Sequence, residues 1–121
     1  GKPITIYGDG TQKRDFTYIE DIIAGTIAAM EKGRPGEAYN LGGGHQTELK
    51  DAVDLIFKLC GKKAEIKYLP PQKGDVRETL ANAAKARTEL GYNPQGSVEQ
   101  GLIDEIEWVK EIIQKDRFKK K

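Results

Sequence analysis

The chain has 121 residues, 37% of them hydrophobic and 32% charged, with a formal net charge of +1. That length suits one domain with a modest core, and the near balance of charge argues against nucleic acid or an anionic membrane as the main partner. Cys60 is the only cysteine, which excludes an intrachain disulfide and fits a reducing compartment; with His45 the only histidine, a zinc site built from Cys and His is excluded too.

In chain order, "PITIY" (3–7) alternates, with Ile4 and Ile6 on one face and Thr5 and Tyr7 on the other, as a strand does. A glycine-rich turn follows, and "RDFTY" (14–18) reads as a second short extended piece. Thr17 and Glu20 have the T-x-x-E spacing of a capping box and predict a helix start. Ile19, Ile22, Ile23, Ile27 and Met30 form that helix's apolar stripe, and Gly33 with Pro35 ends it. "EAYNLGGG" (37–44) reads as a strand running into a glycine turn. Thr47 is the expected cap of the next helix, whose stripe is Leu49, Ala52, Val53, Ile56, Leu59 and Cys60, stopped by Gly61. "AEIKYLP" (64–70) is a further alternating strand, and "PPQKGDVRET" (70–79) a polar loop. A short helix over 82–92 is capped by Asn82 and stopped by Gly91. Ser97 and Gln100 form a second capping box, opening a helix with Val98, Leu102, Ile106, Val109 and Ile113 on its apolar face.

The order β-β-α-β-α-β-α-α predicts an α/β or α+β mixture. Three long helices carry full apolar stripes, yet only four short strands are available to cover them, and isolated short strands are marginal. The expectation is an incomplete sheet, with further strands outside this chain. The chain does not begin with Met and is expected to be a piece of a longer protein. No run of about 18 apolar residues and no signal peptide is visible, so a cytoplasmic setting is expected. The lysines at 119–121 read as a solvated end.

Two polar loops are candidates for binding. In "GDGTQKRDFTY" (8–18), Gly8 and Gly10 let a ligand approach the backbone, and the Arg14 guanidinium fork suits a diphosphate. The plainer alternative is a tight turn with surface charges. In 70–79, Asp75 could accept from a ribose diol while Lys73 and Arg77 face phosphates; a solvated loop with local ion pairs is the alternative. "LGGGHQT" (41–47) lies between a strand and a helix but fails both phosphate-loop patterns. Thr47 stands where G-x-G-x-x-G needs glycine, and no Gly-Lys-Ser/Thr follows. It reads as a flexible turn, and His45 is given no role. No nucleophile motif is present: the only serine, Ser97, is a cap.

Four segments together are similar to one known family. "ITIYGDGTQKRDFTYIEDIIAG", "EAYNLGGG", "GDVRETLANAAKARTELGYNP" and "GL…EW" resemble the C-terminal part of NAD-dependent epimerase/dehydratases, extended short-chain dehydrogenase-type enzymes with a Rossmann-type fold, and UDP-sugar 4-epimerases most closely. The resemblance covers roughly 3–108. It implies that Arg14 contacts the diphosphate of a nucleotide sugar, that Thr5 and Tyr7 flank the uracil and hydrogen-bond it through the backbone, and that Asp75 holds the ribose. Where many relatives carry a second phosphate-binding arginine this chain has Gln72, so Arg77 or Lys73 is expected to substitute. It further implies that residues 1–121 are a substrate-binding portion. The NAD-binding half, with its glycine turn and Tyr-x-x-x-Lys pair, would be missing, since none of the five tyrosines has Lys four residues on. The expected partners are a UDP-sugar or other nucleotide sugar, that N-terminal half, and a second copy through exposed apolar surface. Three readings stay open: part of a UDP-sugar 4-epimerase, part of a dehydratase or reductase of the same family, or a free-standing nucleotide-binding or interaction module.

Overall fold

In a computed structural model describing residues 2–115, β1 (Ile4–Tyr7) and β4 (Ile66–Leu69) lie side by side in parallel, from Ile4 opposite Ile66 to Tyr7 opposite Leu69. Parallel strands need a long crossover. Here it contains α1 (Ile19–Lys32), α2 (Leu49–Cys60) and a second, antiparallel pair, β2 (Lys13–Arg14) with β3 (Thr47–Glu48). α3 (Ala84–Leu90) and α4 (Val98–Gln114) follow. Among the described residues each sheet has two strands, so β1 and β4 each keep one open edge. This is the mixed α/β fold with an incomplete sheet. The lysines at 119–121 lie outside the described residues. No described helix is long and apolar enough to cross a membrane.

The main core lies where α1 crosses α3. Ala83, Ala86, Leu90 and Tyr92 are buried there, with Ala28, Ala29, Tyr39 and Leu41 packed against them. Gly25 makes this approach feasible. A Cβ on it would stand 2.8 Å from both Leu41 methyl carbons and 2.9 Å from the Tyr92 ring, closer than side chains pack.

Several local expectations are corrected. α1 starts at Ile19, and Thr17 does not cap it: the Thr17 hydroxyl donates to Asp15 Oδ1 (3.1 Å) and accepts from the Gly43 amide (3.0 Å). The expected stripe of α1 points largely to solvent, with Ile19, Ile23, Ile27 and Met30 exposed by 61, 51, 46 and 79%. Its small face, Gly25 with Ala28 and Ala29, meets the core instead. Residues 37–44 form no strand, because no neighbour offers them a ladder. Thr47 sits in β3 rather than capping α2, which starts after Glu48 without a side-chain cap. Asn82 Oδ1 accepts from the Ala84 amide (3.1 Å) at the start of α3. Ser97 caps α4 by accepting from the Gln100 amide (3.1 Å), but the Gln100 side chain turns forward to Asp104, leaving half a capping box. On α4 the buried residue is Ile112, while Val109 and Ile113 are exposed.

Candidate functional site

β1 ends at Tyr7, and the chain reverses through Gly8 (φ 83°) and Gly10 (φ 80°), a region that glycine enters without a steric penalty. Between them Asp9 Oδ1 accepts from the Thr11 amide (2.9 Å) and hydroxyl (2.6 Å). The hydroxyl bond, chiefly, holds the Asp9 carboxyl below its usual range. The turn delivers β2, and β2 meets the second polar loop. Lys13 N–H donates to Arg77 O (2.9 Å), and Thr79 N–H donates to Lys13 O (3.1 Å).

That junction brings Arg14 to Asp75, with Nη2 to Oδ1 at 2.5 Å. Nη1 is fixed by the carbonyls of Lys13 (2.8 Å) and Arg77 (3.4 Å). Asp75 itself lies in a turn closed by its N–H on Gln72 O (3.2 Å), with Gly74 at φ 89°. Two open grooves meet at Asp75. One, of about 420 Å³, is lined by Tyr7, Asp9, Pro71, Asp75 and Arg77 among others; the second, about 490 Å³, by Thr5, Tyr7, Lys73 and Asp75. Of the residues singled out in the sequence, Thr5, Tyr7, Lys73, Asp75 and Arg77 line these grooves. Arg14 lines neither groove, and its side chain is 27% exposed.

Two residues of this site had no role in the sequence reading. Gln12 lines both grooves and donates from Nε2 to Tyr7 O (2.9 Å). Asp15, on the other side of the chain from Arg14, ties three segments together. It accepts from the amides of Gly43 (3.0 Å), Gly44 (3.2 Å) and Ala81 (3.3 Å) as well as from the Thr17 hydroxyl. Gly42 must be glycine for this packing, because a Cβ there would meet Ala81 Cβ at 2.4 Å and Asp15 Oδ2 at 2.8 Å. Most partners of Asp15 are backbone amides, so no side-chain pattern signals them.

The same contacts answer the phosphate question at the glycine run. The amides of Gly43 and Gly44 already donate to a carboxylate, which an incoming phosphate would have to displace against like-charge repulsion. The glycine run therefore does not fit a dinucleotide pyrophosphate. A larger apolar groove of about 660 Å³ lies between α2, α4 and the start of α1; it shares Leu49 with the second of the two grooves described above and no lining residue with the first. At its side Tyr18 donates to Asp104 Oδ2 (2.8 Å), and this bond, first among the causes, pushes the phenol up to about 12.

The family model described as GDP-mannose 4,6 dehydratase matches residues 1–105. A UDP-glucuronate 4-epimerase of Thermodesulfobacterium geofontis is 46% identical over 93% of this chain and 35% of its own length. A dTDP-glucose 4,6-dehydratase of Haemophilus influenzae is 37% identical over 89% of this chain and 36% of its own. Among solved structures, the UDP-glucuronic acid 4-epimerase of Bacillus cereus in complex with UDP-glucuronic acid and NAD superposes with a TM-score of 0.85 at 42% identity, over 91% of this chain and 36% of that one. The UDP-glucose 4-epimerase of Thermotoga maritima with UDP-glucose gives a TM-score of 0.85 at 35% identity, over 92% and 36%. The chain thus spans about a third of the length of the relatives it matches. On the match over residues 1–105, the chain belongs to the GDP-mannose 4,6 dehydratase family, among the NAD-dependent epimerases and dehydratases of nucleotide sugars.

Proposed function

We propose that this chain is the C-terminal, substrate-holding portion of a cytoplasmic NAD-dependent UDP-sugar 4-epimerase, gripping the nucleoside diphosphate end of its substrate. The observation that carries this reading is the convergence of 8–18 with 70–79. An arginine meets, at 2.5 Å, a carboxylate 61 positions away in the chain that lines both grooves. In the proposed complex Arg14 turns its fork to the diphosphate, with Arg77 or Lys73 as the second cation. Asp75 is freed to accept from the ribose diol, and Thr5 and Tyr7 border the base. Asp75 offers the guanidinium one oxygen, Oδ1, whereas a diphosphate offers several, so the exchange lets both arms of the fork bind an anion.

Such a grip acts far from the reacting carbon. It contributes binding and orientation and leaves the sugar free to turn over. The hydride and proton steps belong, on this reading, to an N-terminal half outside this chain, which supplies the NAD site and the Tyr-Lys pair. A 4,6-dehydratase origin is the second reading. It is favoured by the family description and by dehydratase relatives of 30–37% identity; the grip is the same in both.

Isothermal titration of the chain with UDP, UDP-glucuronic acid and free glucuronic acid tests the proposal. Comparable binding of the first two and none of the third is expected. Failure of UDP to bind, or binding of the free sugar, refutes it.

A further inference from the structure

Arg14 closes β2 and Asp15 follows it, yet the two side chains are held by different parts of the chain. Arg14 meets Asp75 and the carbonyls of Lys13 and Arg77. Asp15 meets the glycine run and the stretch just beyond 70–79. Between β2 and that stretch runs a short parallel pairing with Lys13 opposite Glu78. Lys13 N–H donates to Arg77 O, and Thr79 N–H donates to Lys13 O. A parallel ladder would continue with Ala81 N–H on the main-chain carbonyl of Asp15. That N–H donates to the Asp15 carboxylate instead, at Oδ2 (3.3 Å). The side chain takes the last rung of the ladder.

A single bridged pair lets two segments swing about it. A second anchor two residues further on fixes the angle between them. One of these segments carries Arg14, and the other carries Asp75 and Arg77. The anchor is itself held fast. Oδ2 also accepts from the Gly44 amide (3.2 Å), and Oδ1 accepts from the Gly43 amide (3.0 Å) and the Thr17 hydroxyl (3.1 Å). Four donors fill the acceptor sites of one carboxylate. Asparagine has the same shape, but its NH₂ end would face an amide that also donates, so it cannot keep all four bonds.

We infer that Asp15 is a positioning residue: by tying β2 to the chain after 70–79, it sets the angle at which Arg14 is offered to the diphosphate. The inference rests on the nucleotide-binding reading above and adds to it a residue that touches no ligand. Holding the guanidinium in place before the ligand arrives removes part of the ordering cost of binding.

A double-mutant cycle tests it, with UDP titrated into the wild-type chain, Asp15→Ala, Arg14→Ala and the variant carrying both. Asp15→Ala should weaken UDP by about two- to tenfold, the range that ordering one long side chain costs. In the Arg14→Ala background the same change should cost nothing further. Asp15→Asn keeps the shape and part of the bonding, so it is the milder probe and should fall between Asp15→Ala and the wild type. NMR relaxation at Arg14 Nε in the ligand-free proteins reads the positioning without any ligand. The signal, assigned by its loss in Arg14→Ala, should report an ordered side chain in the wild type and a mobile one in Asp15→Asn. An equal loss of UDP affinity in both backgrounds assigns Asp15 to general structure and overturns the inference while the nucleotide site stands. Unchanged Arg14 relaxation in a folded Asp15→Asn also overturns it. No UDP binding by the wild type overturns the nucleotide site and the inference with it.

Discussion

Replacing Arg14 by alanine separates a binding role from a structural one. In the ligand-free chain the guanidinium makes an ion pair with Asp75, the two side chains being 27 and 37% exposed. It also makes two bonds to main-chain carbonyls. A partly exposed pair of this kind contributes about 0–1 kcal/mol to folding. The carbonyl bonds add about 1 kcal/mol each where they are well formed, and the contact to Arg77 O is long at 3.4 Å. Arg14→Ala should therefore destabilise the fold by only about 1–2 kcal/mol. The effect on UDP is expected to be larger, because a charge-assisted bond to a diphosphate is worth about 1.5–3 kcal/mol, or roughly 10- to 150-fold in Kd. Arg14→Lys keeps the charge and loses the fork, so it should fall between alanine and wild type. Thermal denaturation measures the first quantity and isothermal titration with UDP the second. UDP affinity unchanged in Arg14→Ala removes Arg14 from the site. Affinity that falls only in step with stability refutes the argument that the guanidinium touches ligand.

Three further outcomes are expected. The chain alone, mixed with NAD and UDP-glucuronic acid, should form no 4-epimer by anion-exchange chromatography, because on the proposed reading the NAD site and the Tyr-Lys pair belong to the other half; any turnover contradicts the division of labour. The exposed Ile19, Ile23, Ile27 and Met30 face of α1 should drive self-association, and Ile23→Lys should raise the monomer fraction in sedimentation velocity; a wild type already monomeric at high concentration counts against it. Spectrophotometric titration should find the Tyr18 phenol ionising at about 12 and moving down in Asp104→Asn, while Tyr92, raised by burial, stays where it is. The Tyr18 pKa is raised above the unfolded value near 10, so the Tyr18–Asp104 bond is fully present below about pH 10 and lost as pH climbs through about 12. A Tyr18 ionisation that Asp104→Asn leaves in place would show that another group causes the shift.

What could be read in the sequence, and what could not, divides by the distance over which each feature is decided. β1 and β4 were legible because two-residue alternation is written locally, and the glycines at 61 and 91 stop helices in left-handed geometry for reasons internal to one turn. The segment 37–44 has the composition of a strand, but a strand exists only with a neighbour, and none of the described elements supplies one. α1 carries two faces. Periodicity selects the bulky one, whereas the available partner, α3, comes close only against Gly25, Ala28 and Ala29. Which face turns inward is a property of the partner, so the isoleucine stripe stays exposed beside a core it could have filled. The candidate site shows the same division. Arg14 and Asp75 each stand out in their own loop as a charge beside flexible glycine, but nothing in either loop specifies a contact across 61 positions. Asp15 and Gln12 act on backbone groups. Every residue but proline offers such groups, so side-chain identity carries no trace of the pairing, and only the fold selects which amides and which carbonyl they meet.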